Sequence, residues 1–458
     1  MDDGQGESKI TLAGAVSMGT GVMIGAGVFA LMGQIAGTAG PWFPLAFVAA
    51  AGVAAITSYS YVKLSNTYPS AGGIGRFLTE AYGVGPVAAT FTMAMWASMI
   101  LNESLVARTF GTYFTKLIGV GTDTVLVVAL GVALLIGSFA INAAGSGVVN
   151  TVENVMAVVK IGGLVVFAGA CLWVADFPST DSGAGAGSVT VDSLIAAVGI
   201  GLLAYKGFTT ITNTGGEIED PNRNVGRAIV IAIAIVTVVY IAVALAVRGN
   251  LGLSEIADAR DYALARAAEP VFGSVGFRLV AALAVIATVT SVMASMYSTS
   301  RMLGMMSDMN EVPEVTFGRR IPYATPPLVV TTLVAIALTV AFDLARIAAL
   351  GAFAYLALDM VIHYGHLRHL RHETGARPGL LVAAIAVDAV VFTGFFVYRI
   401  RTDWVVIASF AVFALVVGGG ETWYTRRSGE RGDRDAGSAD DDGTAGRRPG
   451  EGTAQKTV

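Results

Sequence analysis

The chain has 458 residues, of which 54% are hydrophobic and 14% charged, and its mean hydropathy is +0.68. Many separate runs reach the ~20 apolar residues that a spanning helix needs, so the composition predicts an all-α polytopic membrane protein without a sizeable soluble domain. A net charge of −4 gives no basis for nucleic-acid binding, and a lone Cys171 excludes an intrachain disulfide. The acidic head, residues 1–9, lacks the basic start of a signal peptide, so none is expected.

Hydropathy predicts about twelve transmembrane helices, near 10–35, 41–64, 84–115, 124–143, 151–174, 192–214, 225–247, 276–304, 327–342, 346–366, 379–398 and 404–423. The first carries its own break: Gly21-Val22-Met23-Ile24-Gly25-Ala26-Gly27-Val28-Phe29 puts alternating glycines at mid-membrane, each costing roughly 1 kcal/mol relative to Ala in a helix. Two readings fit. The backbone unwinds and lines a binding site, or Gly21 and Gly25 let a neighbouring helix pack closely. The third span is long for one crossing and should tilt.

A counterpart to the first break appears five spans later, at Leu203-Ala204-Tyr205-Lys206-Gly207-Phe208. An odd number of spans between matching positions inverts one copy relative to the other, and paired broken helices in inverted halves point to a transport site. Trp42, Trp404 and Trp423 sit near span ends as interfacial anchors.

Basic residues set the orientation. Lys63, Arg76, Arg223, Arg227, Arg301, Arg319, Arg320, Arg368, Arg371, Arg377, Arg426 and Arg427 all follow even-numbered spans, which makes that side, and both termini, cytoplasmic. The opposite side has a Gly/Ser-rich loop bordered by Asp176, Asp181 and Asp192, and a mixed-charge loop near 249–275 expected to hold short helices. Residues 425–458 lack an apolar period and read as a disordered cytoplasmic tail. The expected organisation is therefore a tail at 1–9, a permease domain at 10–424 with repeats near 10–174 and 192–366 and extra helices near 379–423, and the tail at 425–458.

Ionisable residues inside spans are functional candidates. Glu103, beside Asn102 in span 3, is a candidate for the substrate or proton path, or neutralises Arg108. Asp359 could pair with a neighbouring helix, and Asp388, in span 11, suggests a structural or interfacial role. Lys206 either points into the cavity or snorkels toward water. All four histidines, His363, His366, His369 and His372, follow an i, i+3 series. A metal needs three or four ligands converging in space, and the series reads better as the basic cytoplasmic end of span 10. No metal site or cofactor is expected.

Five ordered segments resemble the amino acid–polyamine–organocation family of permeases: Gly25 to Phe29; Tyr68-Pro69-Ser70-Ala71-Gly72-Gly73, similar to that family's P-x-x-G-G turn; Phe208 to Ala228, where Gly216-Glu217-Ile218-Glu219-Asp220-Pro221-Asn222-Arg223-Asn224 is similar to E-[IV]-x-[ND]-P-x-R-N; Ser298-Thr299-Ser300-Arg301 leading to Pro313 and Thr325-Pro326; and Leu350-Gly351-Ala352-Phe353-Ala354-Tyr355-Leu356. The resemblance implies a five-plus-five inverted repeat of the leucine-transporter type with two further helices. Two departures stand out: Lys63 where relatives often have an acid, and Thr209 where many have a gating Glu.

Free N–H groups at a helix break favour an anion. The resemblance places the α-carboxylate of an amino acid at the amides near Gly25, Ala26 and Gly27, and the α-amine at carbonyls of Met23, Ile24, Ala204 and Tyr205, with Lys206 and Gly207 in the same break. Side-chain contacts would come from spans 1, 3, 6, 8 and 10. Leu203, Phe208 and Met293 are apolar candidates favouring neutral substrates, and a cationic Lys206 would repel basic ones. For coupling, the resemblance implies that Lys160 in span 5 stands where sodium-coupled relatives hold a cation, between carbonyls of Gly21 and Ile24 and hydroxyls of Thr290 and Ser291, with Thr288 nearby.

The expected function is secondary active transport of amino acids across the cytoplasmic membrane, as proton-coupled uptake by alternating access, with sodium the other candidate ion. The partners are the substrate, the ion and the lipid bilayer, with no nucleic acid and no obligate protein partner. An exchanger, a polyamine carrier and a non-transporting sensor are the alternatives. The short tails argue against a sensor, and the chain shows no Walker loop and no recognisable catalytic set.

Overall fold

The computed structural model describes residues 9–70, 73–121, 123–144, 146–175, 189–308 and 325–419, with only the backbone described for Ala26 and 146–155. Among these residues there is no β-strand. A single bridge pairs Ile10 with Ile218, closed by Ile10 N–H to the Glu217 carbonyl (2.8 Å) and Glu219 N–H to the Ile10 carbonyl (2.9 Å). The expected tail at 425–458, most of the outer loop with Asp176 and Asp181, and Pro313, Arg319, Arg320, Trp423, Ala71 and Gly72 lie outside the described residues.

The helices in chain order are α1 (Leu12–Ala39), α2 (Phe43–Thr67), α3 (Gly73–Tyr82), α4 (Pro86–Leu117), α5 (Thr124–Ala144), α6 (Ser146–Val174), α7 (Val191–Tyr205), α8 (Phe208–Asn213), α9 (Pro221–Asn250), α10 (Leu253–Asp258), α11 (Ala263–Asp308), α12 (Pro326–Ala341), α13 (Leu344–Gly365), α14 (Pro378–Thr402) and α15 (Trp404–Gly419). Eight stretches of the described chain are long and apolar enough to cross a membrane, the first of which holds both α1 and α2. The protein is a polytopic, all-helical membrane protein.

Local chemistry sets the helix ends. Thr11 caps α1 by accepting from Gly14 N–H (3.2 Å). Thr190 and Ser193 form a capping box at α7, and the Asp343 carboxylate accepts from Arg346 N–H at α13 (2.9 Å). Proline opens α4, α9, α12 and α14, where its missing N–H costs nothing. The loop near 249–275 contains α10 and the first turns of α11. Gly273 (φ 62°) then kinks α11, a left-handed geometry that glycine adopts without a Cβ penalty.

One expectation fails here. The first span is not broken: α1 runs as a continuous helix through all the glycines. Their role is close approach. A Cβ on Gly25 would lie 2.3 Å from the Ser291 side chain and 2.8 Å from the Ala287 carbonyl on α11, and one on Gly27 would meet the Tyr240 hydroxyl of α9 at 1.8 Å. Packing on both sides outweighs the weak helix propensity of glycine. The second break is present but tight. Between α7 and α8, Lys206 N–H bonds the Leu203 carbonyl (3.2 Å) and Thr209 N–H bonds the Lys206 carbonyl (3.0 Å). These i, i+3 bonds make it a 3₁₀ joint rather than an extended gap.

Helix α1 lies at the centre, packed on α7, α9, α11 and α6. Helix α4 rests on α11 and α13, and α2 rests on α9 and α7. The most apolar stretches of α5 and α14 are only 28% buried, as expected of helices turned toward lipid. Trp42 and Trp404, at helix starts, are exposed, which suits interfacial anchors.

Candidate functional site

The centre of the bundle holds a small cavity where α1 crosses the α7–α8 joint. It is lined by Val22 of α1, Met99 and Asn102 of α4, Leu203, Ala204, Lys206, Gly207, Thr209 and Thr210 of α7–α8, Ser295 of α11 and Tyr355 of α13. The five helices are those named from sequence. The cavity is nearly closed: the centre of a water-sized sphere has about 10 Å³ of free space, room for roughly one water.

Of the nine residues expected to bind substrate, Ala204, Lys206 and Gly207 line this cavity; from α1 it is Val22 instead. Met23 and Ile24 are fully buried. The α1 helix touches the joint directly, since a Cβ on Gly207 would sit 2.6 Å from Met23 N. The carbonyls of Met23 and Ala204, expected to receive an α-amine, face the Tyr240 hydroxyl, which bonds Met23 O and lies 3.1 Å from Ala204 O. Neither Val22 nor Tyr240 stood out in sequence. A Tyr inside an apolar run looks like core packing until its hydroxyl is seen to have a backbone target.

Lys206 neither snorkels nor presents a free charge. Its ammonium forms an ion pair with the Asp359 carboxylate of α13, both side chains being at most 1% exposed. The second Asp359 oxygen accepts from the Tyr61 hydroxyl of α2 (2.6 Å). The ammonium also lies 5.3 Å from the ring centroids of Tyr61 and Phe208, within cation–π reach. The cavity is therefore edged by a neutralised pair, which changes the expectation of a repelling cation.

The coupling residues are brought together in large part. Lys160, fully buried on α6, donates to the Thr290 hydroxyl (2.7 Å), and the Thr290 hydroxyl in turn donates toward the Ile286 and Ala287 carbonyls (3.0 and 3.1 Å). Ser291 donates to the Val22 carbonyl of α1 (3.2 Å), so the α1 carbonyl engaged is Val22, between the expected Gly21 and Ile24. Thr288 caps back onto its own helix at Ala284 (2.8 Å). Glu103 is fully buried and accepts from Ser295 (3.3 Å), a cavity residue. Arg108 instead donates to the Thr339 carbonyl (2.8 Å), so that neutralisation is not made.

On the side with Ile10, the third and fourth sequence motifs meet. Glu217 pairs with Arg301 (3.0 Å) and accepts from the Tyr297 hydroxyl (3.0 Å). Asp220 starts α9 in a left-handed conformation (φ 44°). Gly73 lets α3 abut α8, since a Cβ there would lie 2.2 Å from the Thr212 carbonyl. The Asn213 side chain accepts from Ile74 N–H (3.2 Å).

The histidines do not converge. His363 faces Asp388 of α14 (3.3 Å). His366, at the start of a π-helical turn, sits between the hydroxyls of Ser60 (2.7 Å) and Thr374 (2.8 Å). His369 and His372 are exposed. Asp388 is not interfacial: it is fully buried.

These features define a class, a multi-pass helical membrane protein with a closed polar cavity at the crossing of two central helices. The chain belongs to the amino acid permease family: the family model described as amino acid permease matches residues 10–422, within the amino acid–polyamine–organocation superfamily that the motifs resemble. It is 30% identical over 400 residues to an uncharacterized protein of Methanocaldococcus jannaschii, covering 87% of this chain and 90% of that one. It is 27% identical to the inner membrane transport protein YbaT of Escherichia coli, over 85% of this chain and 90% of YbaT. It is 24% identical to the serine/threonine exchanger SteT of Bacillus subtilis, over 70% and 72%. The protein is a membrane transporter of a small molecule and not an enzyme.

Proposed function

We propose that the chain is a secondary active transporter of neutral amino acids in the cytoplasmic membrane, working by alternating access with proton coupling through Lys160. The observation that carries the reading is the Lys160–Thr290 bond beside the Ser291–Val22 bond. One ammonium on α6 thereby braces α11, and α11 braces α1 next to the cavity. An intramembrane lysine is expensive, about 2.5–3.5 kcal/mol at a helix centre on insertion scales, and Thr290 and Ser291 are the two hydroxyls that the resemblance assigns to a cation. Losing the proton turns the charge-assisted bond to Thr290 into a weaker neutral one and loosens α11 from α6.

Neutral substrates are favoured because Asp359 cancels the charge of Lys206, leaving Asn102, Thr209, Thr210 and Ser295 as the cavity's polar surface. The polar lining suits a small amino acid, for which the cavity would have to widen from its present size, and SteT is named for serine and threonine exchange. Exchange is accordingly the second reading.

We assign twelve crossings, α1, α2, α4, α5, α6, α7–α8, α9, α11, α12, α13, α14 and α15, with both termini cytoplasmic. A five-plus-five inverted repeat pairs α1 with α7, α2 with α9, α4 with α11, α5 with α12 and α6 with α13, and the first four of these pairs are in contact. The permease domain is 10–424, flanked by tails at 1–9 and 425–458. Helix α1, continuous here, would open its backbone near Gly25 to Gly27 as substrate enters.

The test is counterflow of a labelled amino acid panel in proteoliposomes, with and without a pH gradient and in sodium-free buffer. Proton-driven accumulation of neutral amino acids is expected. Dependence on sodium at constant pH would overturn the coupling, and a preference for arginine or a polyamine would overturn the substrate class.

A further inference from the structure

The most unusual chemistry in the protein lies one layer beyond the cavity. Asp359, His363 and Asp388 gather ligand atoms within 4.8 Å of one another, and all three are fully buried. Asp359 is satisfied by Lys206 and Tyr61. The other two are not: both carboxylate oxygens of Asp388 and both ring nitrogens of His363 lack a well-aligned hydrogen bond among the described residues, although Nε2 and Oδ2 approach to 3.3 Å.

The charges do not close as written. Lys206 cancels Asp359, and a neutral imidazole beside an ionised Asp388 leaves one uncompensated negative charge in the membrane interior. An unpaired buried charge is far more costly than a paired one. Either a metal ion or a proton must balance it. A divalent cation is disfavoured, because the Lys206 ammonium already sits on one of the three would-be ligands.

We propose that His363 and Asp388 form a proton-binding pair that holds one shared proton in this conformation, separate from Lys160. The titratable groups facing the pair are Tyr61 from α2, whose ring stands edge-on to His363 at 6.0 Å, Lys206 from the α7–α8 joint, and Asp359 and His366 from α13. Lys206 connects it to the cavity: any movement of the joint that draws the ammonium off Asp359 removes positive charge from the cluster and tightens its hold on the proton. By linkage, protonation then favours that movement. His366 lies one helical turn on, bonded to Ser60 and Thr374, and supplies the next group toward the α13–α14 loop. Only this consequence rests on the transport reading; the proton itself does not.

The test exploits the fact that the chain has four histidines. Full-length protein labelled with ¹⁵N-histidine in lipid nanodiscs is examined by solid-state NMR at pH 8, with infrared difference spectra for protonated carboxyl groups. His363→Gln assigns its signal. The expected result is an imidazolium signal from His363 or a protonated-carboxyl band, lost in Asp388→Asn, whose fold is checked by its thermal transition and by the unchanged His366 signal. If Asp388→Asn does not fold, His363→Gln should still shift the carboxyl band. A neutral His363 with no such band overturns the proposal, as does a spectrum that changes on dialysis against a chelator. Counterflow on the same preparations separates the two readings: transport with an unprotonated pair sinks only this proposal, and a protonated pair without transport sinks only the function proposed above.

Discussion

The hydroxyl of Tyr240 donates to the backbone carbonyl of Met23 and lies 3.1 Å from that of Ala204. A side chain from α9 thus ties together the two helices that cross at the cavity, using the carbonyls that an incoming α-amine would need. Substrate entry and release of this tie should be coupled.

Gly27 makes that relationship testable. Gly27→Ala puts a methyl 1.8 Å from the Tyr240 hydroxyl, an overlap the packed core cannot absorb, so a loss of roughly 1–3 kcal/mol is expected. Tyr240→Phe alone should cost about 0.5–1.5 kcal/mol through the bond lost, because the Met23 carbonyl lies within the continuous helix α1. The double variant should be less damaged than the sum, because the clashing oxygen is gone. Thermal unfolding in nanodiscs reads all three. Strict additivity would mean that the two sites do not meet.

Replacing Lys160 by Ala should leave binding of a neutral amino acid within a few-fold of wild type and abolish accumulation driven by a pH gradient. Scintillation proximity binding and gradient-driven uptake measure the two separately. Uphill uptake by the mutant using protons would show that coupling resides elsewhere.

Lys206→Met leaves Asp359 charged and buried without its cation. Breaking a buried pair from one side costs about 3–5 kcal/mol, so a large drop in thermal stability is expected. Lys206→Met combined with Asp359→Asn should recover most of it. If the single variant is as stable as wild type, Asp359 is not ionised beside Lys206.

The Glu217–Arg301 pair is partly exposed, with side-chain accessibilities of 23% and 43%, and is worth about 0.2–1 kcal/mol. Glu217→Gln should therefore shift the population toward a conformation open on that face by only about 1.5- to 5-fold. A cysteine placed at Ser298, buried in the closed form, should react correspondingly faster with a membrane-impermeant thiol reagent added to inside-out vesicles in a Cys171→Ser background. An unchanged rate would remove the pair from any gating role.

The class of this protein was legible in its residues because lipid imposes a simple rule: each crossing must be a long apolar helix with its backbone bonded internally. Runs such as that of α9 announce themselves without any tertiary context. The five helices around the cavity were also legible, through ordered motifs that bring Glu217 to Arg301 and seat Gly73 against Thr212. Glycine spacing in α1 was ambiguous for a physical reason. The residue that permits an unwound backbone also permits close contact, and only the positions of Ser291 and Tyr240 decided for contact in this conformation. Charge pairing was beyond the sequence altogether. Lys206 and Asp359 stand 153 residues apart, and His363 meets Asp388 across two helices. What a buried charge does depends on which opposite charge the fold delivers to it, and that is settled by helix packing rather than by spacing along the chain.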